Sequence, residues 1–314
     1  MGQNLIKEKN QQQKIKEFDD VRKFVKSTQF EVYSLKLSFG YKDIKQSELS
    51  QLAQAFQKYN KLQTLTLDLN SSLSCQHDPS QISQILKSCQ NINFLELNLS
   101  SNREKPTQVN HFVKELSILL KLETLKIYLR FNQLNQGLLI ELRNTLANLQ
   151  NIQYLEISLS GSTLEFNEMQ QLCEGLRQCQ TLTKLTLLLS DCAIKDQDFL
   201  VLSRTIADLK YLQHLFIQLS NNSTINESIV ELGNNLVFIK QLKSLKLIQS
   251  FNRITNNSMF GLFFALRNCE NLIEIVISSK YHKTSDEQFK VNQKRMISNH
   301  LKKCKRLIQL SLYI

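Results

Sequence analysis

Glycine is scarce in this sequence, with only seven residues among 314, and no glycine-rich phosphate-binding loop of the form GxGxxG or GxxxxGK[ST] is present. The GxSxG motif of a hydrolase nucleophile is absent as well, and so is any CxxC pair that would indicate a metal site. The five histidines share no regular spacing. We therefore expect a non-enzymatic protein, without catalytic residues, metal, cofactor or small-molecule substrate.

Long apolar segments are also lacking. No run of about 18 apolar residues, the length needed to cross a bilayer, occurs anywhere in the chain. The N-terminal stretch MGQNLIKEKNQQQKIKEF contains no apolar core of a secretory signal. The sequence therefore predicts neither a membrane span nor secretion.

One phrase recurs through the chain, as in LQTLTLDL at 62–69, INFLELNL at 92–99 and LETLKIYL at 122–129. Within each copy, apolar residues occupy every second position, and this alternation predicts a strand with one buried face. A last copy opens at Leu307 after an insertion of five residues. The other copies open at an unbroken 30-residue spacing, at Val32, Leu62, Ile92, Leu122, Ile152, Leu182, Leu212, Leu242 and Leu272.

A polar turn follows each strand, and its buried apolar anchor is expected at Leu134, Leu164, Ile194 and Ile254. The period then changes to helical spacing, as in Leu49, Leu52, Ala53 and Phe56, which predicts a one-sided helix. One strand and one helix cannot bury their own apolar faces, but stacked copies can. A fixed period therefore predicts a solenoid.

The cysteines follow the same period. Each of four cysteines lies three residues before a strand-opening apolar residue, where other copies place Leu149, Leu209 or Ile239; they are Cys89, Cys179, Cys269 and Cys304. We expect buried small hydrophobes rather than disulfides, because equivalent positions several repeats apart are too distant to bridge. Reduced cysteines indicate an intracellular, cytoplasmic protein.

The stretch LQTLTLDLN at 62–70 resembles the LxxLxLxxN pattern of leucine-rich repeats, and the full helix in each copy resembles the long-repeat, ribonuclease-inhibitor-like subclass. The resemblance covers residues 32–314. It implies an α/β leucine-rich-repeat solenoid of about ten 30-residue repeats. The expected shape is a horseshoe, with a curved parallel sheet on the concave side and helices on the convex side, because helices need about 8–10 Å each and strands about 4.8 Å.

The resemblance also implies a ladder of asparagine side chains in the turns. We expect this ladder to be weak, since the position of Asn70 in the pattern is taken by other residues in most copies: Arg130, Ser160, Ser190, Ser220 and Ser250.

The predicted domains are an N-terminal helical cap at 1–30 and the solenoid at 31–314, with an insertion near 279–295. An amphipathic helix is expected over residues 4–28, covering the open edge before the first strand, because apolar residues stand among polar ones at Ile15, Phe18, Val21, Phe24 and Val25. The sequence ends with LIQLSLYI on a strand pattern. A short cap by the Lys-rich helix before it, a longer chain and completion by a partner all stay open.

Residues between the buried strand positions are expected on the concave surface. From about residue 186 these positions become apolar, and we predict a partner-binding patch there, extended by two tyrosines and a histidine: Tyr128, Tyr154, Leu188, His214, Phe216, Ile248 and Val276. An exposed contiguous apolar patch usually marks an interface. The other interpretation is an ordinary exposed sheet whose side chains cover each other.

Positive charge is concentrated near the C-terminus. The formal net charge is +11, and residues 280–306 hold nine Lys and Arg against two acids. This basic cluster consists of Lys280, Lys283, Lys290, Lys294, Arg295, Lys302, Lys303, Lys305 and Arg306. Such a cluster can attract nucleic acid, an anionic membrane or an acidic protein. Solvated charge on a loop and helix is the simpler reading.

Three functions fit these observations. The first is a protein-interaction scaffold that binds a protein partner on the concave face. The second is an adaptor for nucleic acid, anionic membrane or acidic protein through residues 280–306. The third is a regulator of a GTPase or other enzyme, since the subclass includes a GTPase activator for a nuclear transport GTPase. Such an activator is expected to carry an acidic C-terminal tail, whereas residues 280–306 are basic.

Overall fold

The computed structural model describes residues 15–73, 78–222, 227–252, 254–279 and 306–313. The chain forms two compact units, Met1–Ile152 and Gln153–Ile314. In both units five-residue parallel strands alternate with helices at the predicted 30-residue interval, so the prediction of an α/β leucine-rich-repeat solenoid is confirmed. The predicted insertion near 279–295 lies almost wholly outside the described residues.

The described residues of the N-terminal unit form five strands that pair in parallel with their chain neighbours. They are β1 (Lys16–Phe18), β2 (Ser34–Ser38), β3 (Thr64–Asp68), β4 (Phe94–Asn98) and β5 (Thr124–Tyr128). The helices are α1 (Val21–Val25), α2 (Gln46–Phe56), α3 (Pro79–Ser88), α4 (Pro106–Glu115) and α5 (Gln136–Asn148), and a 3₁₀ turn follows α4 at Leu116–Ile118.

Where the structure describes the C-terminal unit, the pattern repeats with six strands. They are β6 (Tyr154–Ser158), β7 (Lys184–Leu188), β8 (His214–Gln218), β9 (Ser244–Ile248), β10 (Glu274–Ser278) and β11 (Gln309–Tyr313). The helices between them are α6 (Phe166–Gln178), α7 (Asp196–Ala207), α8 (Glu227–Leu236) and α9 (Asn256–Leu266). No helix in the described part of the chain is long and apolar enough to cross a membrane.

The alternating strand pattern buries one face of each strand, as predicted. Leu65, Leu67 and Leu69 are at most 3% exposed, and Leu215, Ile217 and Leu219 at most 1%. Each fully buried Leu or Ile side chain contributes about 1.5–3 kcal/mol. A shift of register by one residue would move this whole set into solvent, so the burial also determines which side chains face outward.

Close helix packing in the C-terminal unit depends on two glycines. A Cβ at Gly233 of α8 would lie 2.9 Å from the Cβ of Ala265, and a Cβ at Gly261 of α9 would lie 2.8 Å from Cγ2 of Val230. Both distances are below van der Waals contact. The missing side chains therefore let α8 and α9 approach each other.

The turns of the N-terminal unit are joined by buried asparagines. Asn102 Nδ2 donates to the carbonyls of Leu69 (3.0 Å) and Leu99 (2.9 Å), while its Oδ1 accepts from the amide of Leu73 (3.0 Å). The amide of Asn102 in turn donates to Oδ1 of Asn132 (2.8 Å). Each rung thus satisfies backbone groups of its own turn and of the turn before it, as buried backbone groups require.

The C-terminal unit has the same ladder. Asn222 Nδ2 donates to the carbonyls of Leu189 (2.9 Å) and Leu219 (2.7 Å), and the amide of Asn222 donates to Oδ1 of Asn252 (2.8 Å). Other residues replace asparagine in some copies: Sγ of Cys192 donates to the carbonyl of Leu159.

The expectation of a weak ladder was therefore wrong, because the ladder uses the position two residues after the one considered. The serines at Ser100 and Ser220 do not carry it; Asn102 and Asn222 do. The expected anchor Leu134 is only half-buried, whereas Asn132 is buried two residues before it.

The residue before each described rung position has a left-handed backbone with φ between 52° and 74°, and so does Tyr41 at the equivalent place in the first turn. Only one of the eight is a glycine; they are Tyr41, Ser71, Ser101, Phe131, Gly161, Asp191, Asn221 and Phe251. A bulky residue in this region carries local strain, which persists where the surrounding structure imposes the geometry. Tyr41 (80% exposed) and Phe131 (52% exposed) are held in solvent in this way.

The predicted amphipathic helix at 4–28 is wrong in its described part. Residues 16–18 form β1, which pairs in parallel with β2, and only Val21–Val25 is helical. Val21 and Phe24 are nevertheless buried, as their apolar character suggested. The Phe24 ring stacks on that of Tyr59 with centroids 5.2 Å apart, so aromatic packing rather than a long helix attaches this segment. The role of residues 1–30 as a cap stays a prediction.

The five cysteines in the described residues are buried thiols, and they include the predicted Cys89, Cys179 and Cys269. Cys304 lies outside the described residues. Burial raises the pKa of the Cys89 and Cys179 thiols to about 12, so these groups are protonated and unreactive at neutral pH.

Replacing Asn222 by alanine should lower the free energy of unfolding by about 2–4 kcal/mol, because the carbonyl of Leu189 and the amides of Cys192 and Ile194 lose their partner. Urea unfolding measures the change. Asn234→Ala, at an exposed asparagine of the neighbouring helix α8, is the matched control and should cost less than about 0.5 kcal/mol. Equal effects of the two substitutions would contradict the ladder.

Native alkylation should spare the buried thiols. With iodoacetamide at pH 8, mass spectrometry should find Cys89, Cys173, Cys179, Cys192 and Cys269 unmodified, and all five alkylated after unfolding in guanidinium, because the folded chain keeps them buried. Modification of Cys179 at the rate of a free thiol in the native state would contradict this.

Candidate functional site

The outward face of the sheet in the C-terminal unit is arranged in rows that cross the strands. One row consists of Tyr154, Lys184, His214, Ser244 and Glu274, each paired in register with the next. The next row, two residues further along each strand, consists of Glu156, Thr186, Phe216, Lys246 and Val276. Neighbouring strands lie about 4.8 Å apart, so each side chain contacts its neighbours in the row.

A pocket of about 550 Å³ opens on this face. Its apolar lining comes from Leu185, Leu188, Leu215 and Phe216, of which Leu188 and Phe216 point outward and are half-buried. Its polar lining consists of Tyr154, Glu156, Lys184, Thr186, His214, Ser244, Lys246 and Glu274. An apolar floor with a few convergent polar groups is typical of a binding site.

At the end of the pocket formed by Glu274, the charged and polar side chains are paired with each other. Lys246 Nζ lies 3.0 Å from Oε1 of Glu274, and Ser244 Oγ donates to Oε2 of the same carboxylate at 2.5 Å. The hydrogen bond from Ser244 is the main cause that lowers the pKa of Glu274, and Lys246 adds to it. Glu274 is therefore ionised at neutral pH. On the other side of the pocket, the Tyr154 hydroxyl donates to Oε2 of Glu156 at 2.5 Å.

Lys184 has a different environment. Its Nζ lies 4.1 Å from the centroid of the Tyr154 ring, a cation–π contact. Among the described residues no carboxylate forms an ion pair with it. Lys184 is directly opposite His214 in the register of β7 and β8, and both side chains are exposed.

The imidazole of His214 is neutral at neutral pH. Burial lowers its pKa first, the ammonium groups of Lys184, Lys243 and Lys246 lower it further, and only Glu274 opposes them. No hydrogen-bond partner of the His214 ring occurs among the described residues. The corner formed by Lys184 and His214 therefore presents unused donors at a position of positive potential.

Ser244, His214 and Glu274 are the residue types of a hydrolytic triad, but their hydrogen bonds do not form one. In a triad the histidine accepts the serine proton and the acid orients the histidine. Here Ser244 donates to Glu274 directly, and His214 bonds neither of them. The arrangement is suited to binding.

Four residues of the predicted patch line this pocket: Tyr154, Leu188, His214 and Phe216. Ile248 and Val276 lie on the same outward face and are half-buried, but they do not line the pocket. The predicted patch omits Lys184, Ser244 and Glu274. The strict strand alternation places them in the same row as Tyr154 and His214, so their outward position could have been predicted. They were left out because the predicted patch was defined mainly by apolar residues.

Tyr128 lies on β5 in the N-terminal unit. There it lines a pocket of about 300 Å³ at the carboxyl ends of the strands, together with Tyr41, Arg130 and Phe131 among others. Tyr41, Arg130 and Phe131 were not among the predicted site residues. Their common feature is a place in or beside the left-handed turn position.

The predicted basic cluster lies outside the described residues, apart from Arg306. The guanidinium of Arg306 donates from Nη1 to Oδ1 of Asn271 at 2.7 Å. Binding of nucleic acid, membrane or acidic protein by this region stays a prediction. In the described part of the chain, no three His, Cys, Asp or Glu side chains are grouped as metal ligands would be.

The strand, the turn with its asparagine rung and the helix recur in the described copies, and together they define a leucine-rich-repeat solenoid. The sequence matches no protein-family model and no curated protein sequence. Among solved structures, the chain is similar to the leucine-rich repeat-containing protein LegL7 from Legionella pneumophila. The identity is 17% and the TM-score 0.46, over 92% of this chain and 89% of that one.

The pKa of His214 should lie below 6.5 in the folded protein, and Lys184→Gln should raise it, because one of the neighbouring positive charges is removed. It should stay below the ordinary value, since burial is the larger cause. Glu274→Gln should move it in the opposite direction. NMR titration of the imidazole resonances, assigned with a His214→Gln variant, measures the pKa of His214 in wild type, Lys184→Gln and Glu274→Gln. An unchanged pKa in Lys184→Gln would contradict this arrangement.

Proposed function

We propose that this chain is a protein-interaction scaffold and that the outward sheet face of its C-terminal unit binds a partner protein. The observation that carries the proposal is the pocket of about 550 Å³ with Leu188 and Phe216 on its floor and charged side chains around them. Protein interfaces share this arrangement of an apolar centre with a polar rim. Ile248, Val276 and Tyr154 extend the surface beyond the floor.

The repeat architecture supports the same conclusion. The inward side chains of the strands form the core, whereas the outward side chains contribute little to it. Leu188 and Phe216 therefore have no role in the stack that would require an apolar residue. Aromatic side chains at the centre of such a surface are frequent sources of binding energy.

Phe216→Asp should weaken binding of a partner at least about tenfold, because it places a charge on the apolar floor. Partners would be captured from lysate at low and at high salt, identified, and reconstituted with the purified chain for calorimetry. Phe238→Asp is the matched control, since Phe238 is 69% exposed and follows helix α8. Circular dichroism would confirm that both variants fold.

Two results would contradict the proposal. One is a reconstituted partner whose affinity is the same for wild type and Phe216→Asp. The other is a partner whose binding is lost as salt rises and is insensitive to Phe216, which would favour the basic cluster at 280–306 instead.

A further inference from the structure

Lys184 and His214 form a pair of basic side chains that have no acidic hydrogen-bond or ion-pair partner in the part of the chain that the structure describes. They face each other across β7 and β8, in direct register, at one side of the pocket. The Lys184 ammonium contacts the Tyr154 ring at 4.1 Å and forms no ion pair within the described residues. An ammonium over an aromatic face keeps donors that a ligand can use.

The other charged groups around this pair are engaged. Glu274 accepts from Ser244 and forms an ion pair with Lys246 at 3.0 Å. Lys243 donates to Oε1 of Gln213 at 2.8 Å. The Glu156 carboxylate accepts from the Tyr154 hydroxyl. Lys184 and His214 therefore have donors that a ligand can use without breaking an existing bond.

Apolar surface adjoins the pair. Phe216 and Thr186 lie two residues further along β8 and β7 on the same face, and Leu188 two residues beyond Thr186. Two residues of strand correspond to about 7 Å. A ligand group held by the basic pair thus lies next to the pocket floor.

We propose that the basic pair binds the carboxylate of an acidic residue in an extended segment of the partner, with a neighbouring apolar side chain of that segment packed on Leu188 and Phe216. This inference rests on the proposed function and names the chemistry of the partner. The carboxylate lies between Lys184 Nζ and a ring nitrogen of His214.

Charge complementarity favours one carboxylate over a polyanion. The carboxylates of Glu156 and Glu274 also line the pocket, on strands β6 and β10. They would repel the successive phosphates of a nucleic acid, whereas a single carboxylate is small enough to meet only Lys184 and His214. An acidic peptide therefore fits this surface better than RNA or DNA does.

The histidine couples this recognition to pH. The charged groups facing His214 are Lys184 on β7, Lys243 and Lys246 at β9, and Glu274 on β10. Burial first, and then the three positive groups among these four, lower the pKa of His214, so the imidazole is neutral in the free protein at pH 7. A bound carboxylate favours the protonated ring, and by linkage binding must tighten as the pH falls toward the pKa of the bound state.

The test selects 12-residue peptides from a random display library on the full chain, in parallel on wild type and on a Lys184→Gln/His214→Gln double variant. Wild type should enrich peptides with Asp or Glu one or two positions from an apolar residue, and the double variant should not. Lys210→Gln is the matched control, because it removes one exposed positive charge from the same unit outside the pocket.

Synthetic versions of the enriched peptides then measure the contact. Replacing the acid by its amide should weaken binding to wild type at least about tenfold and binding to the double variant by less than about twofold. Binding to wild type should be about three- to tenfold tighter at pH 5.5 than at pH 7.5. Peptides with a free or an amidated C-terminus distinguish a side-chain carboxylate from a terminal one.

The outcomes separate the two proposals. Peptides that lose affinity in Phe216→Asp but carry no acid, or bind the double variant equally well, overturn this inference and leave the proposed binding face intact. Peptides that are insensitive to Phe216→Asp, or a library without binders, count against both. Enrichment of acids that is also lost in Lys210→Gln would show general charge attraction and overturn the pair as the site.

Discussion

The amide side chain of a buried asparagine is the interaction on which the rest of each unit depends. The turn after each strand brings backbone carbonyls and amides into the interior, and backbone bonds between consecutive turns satisfy only part of them. Asn102 in one unit and Asn222 in the other satisfy groups of two consecutive turns at once. Because the rung spans two copies, it determines the distance and the register between them, and the strands then pair in parallel without a shift. The left-handed residue before each rung is a consequence of the same constraint.

Burial divides the side chains of every strand into two sets with separate demands. The inward set is almost uniformly leucine and isoleucine and is excluded from water. The outward set differs from copy to copy, with Tyr154, Lys184 and His214 at equivalent places on three consecutive strands. The backbone presents these outward residues at a spacing that the core determines. Outward surfaces of different chemistry can therefore stand on the same core, and the pocket with Phe216 at its floor is the surface that we propose binds a partner.

Much of this arrangement could be predicted from the sequence, because it follows from periods. The strand positions, the buried cysteines at Cys89 and Cys179 and the outward direction of Phe216 all depend on the 30-residue interval and on alternation within it. The rung position could not be predicted reliably from the sequence pattern alone, because serine and asparagine both occur near the turn. Only the hydrogen bonds show that Asn132, not Arg130, forms the rung. The N-terminal segment was mispredicted because helical spacing of Val21 and Phe24 does not exclude a strand just before them. Of the Lys184–His214 corner, His214 was predicted and Lys184 was not, because the predicted patch was defined mainly by apolar and aromatic character.

Most of the bonds that join consecutive turns connect residues 30 or 33 positions apart, as from Asn102 to Asn132 and from Asn222 to Leu189. In a solenoid built this way, the contacts between neighbouring copies are the same whatever the number of copies. If one whole copy is removed or duplicated, every rung still has an equivalent neighbour. An insertion or deletion of any other length must be accommodated in a loop. The length of the outward face, and hence the length of a partner segment it can accommodate, is therefore a property that can change in discrete steps while the core stays as it is.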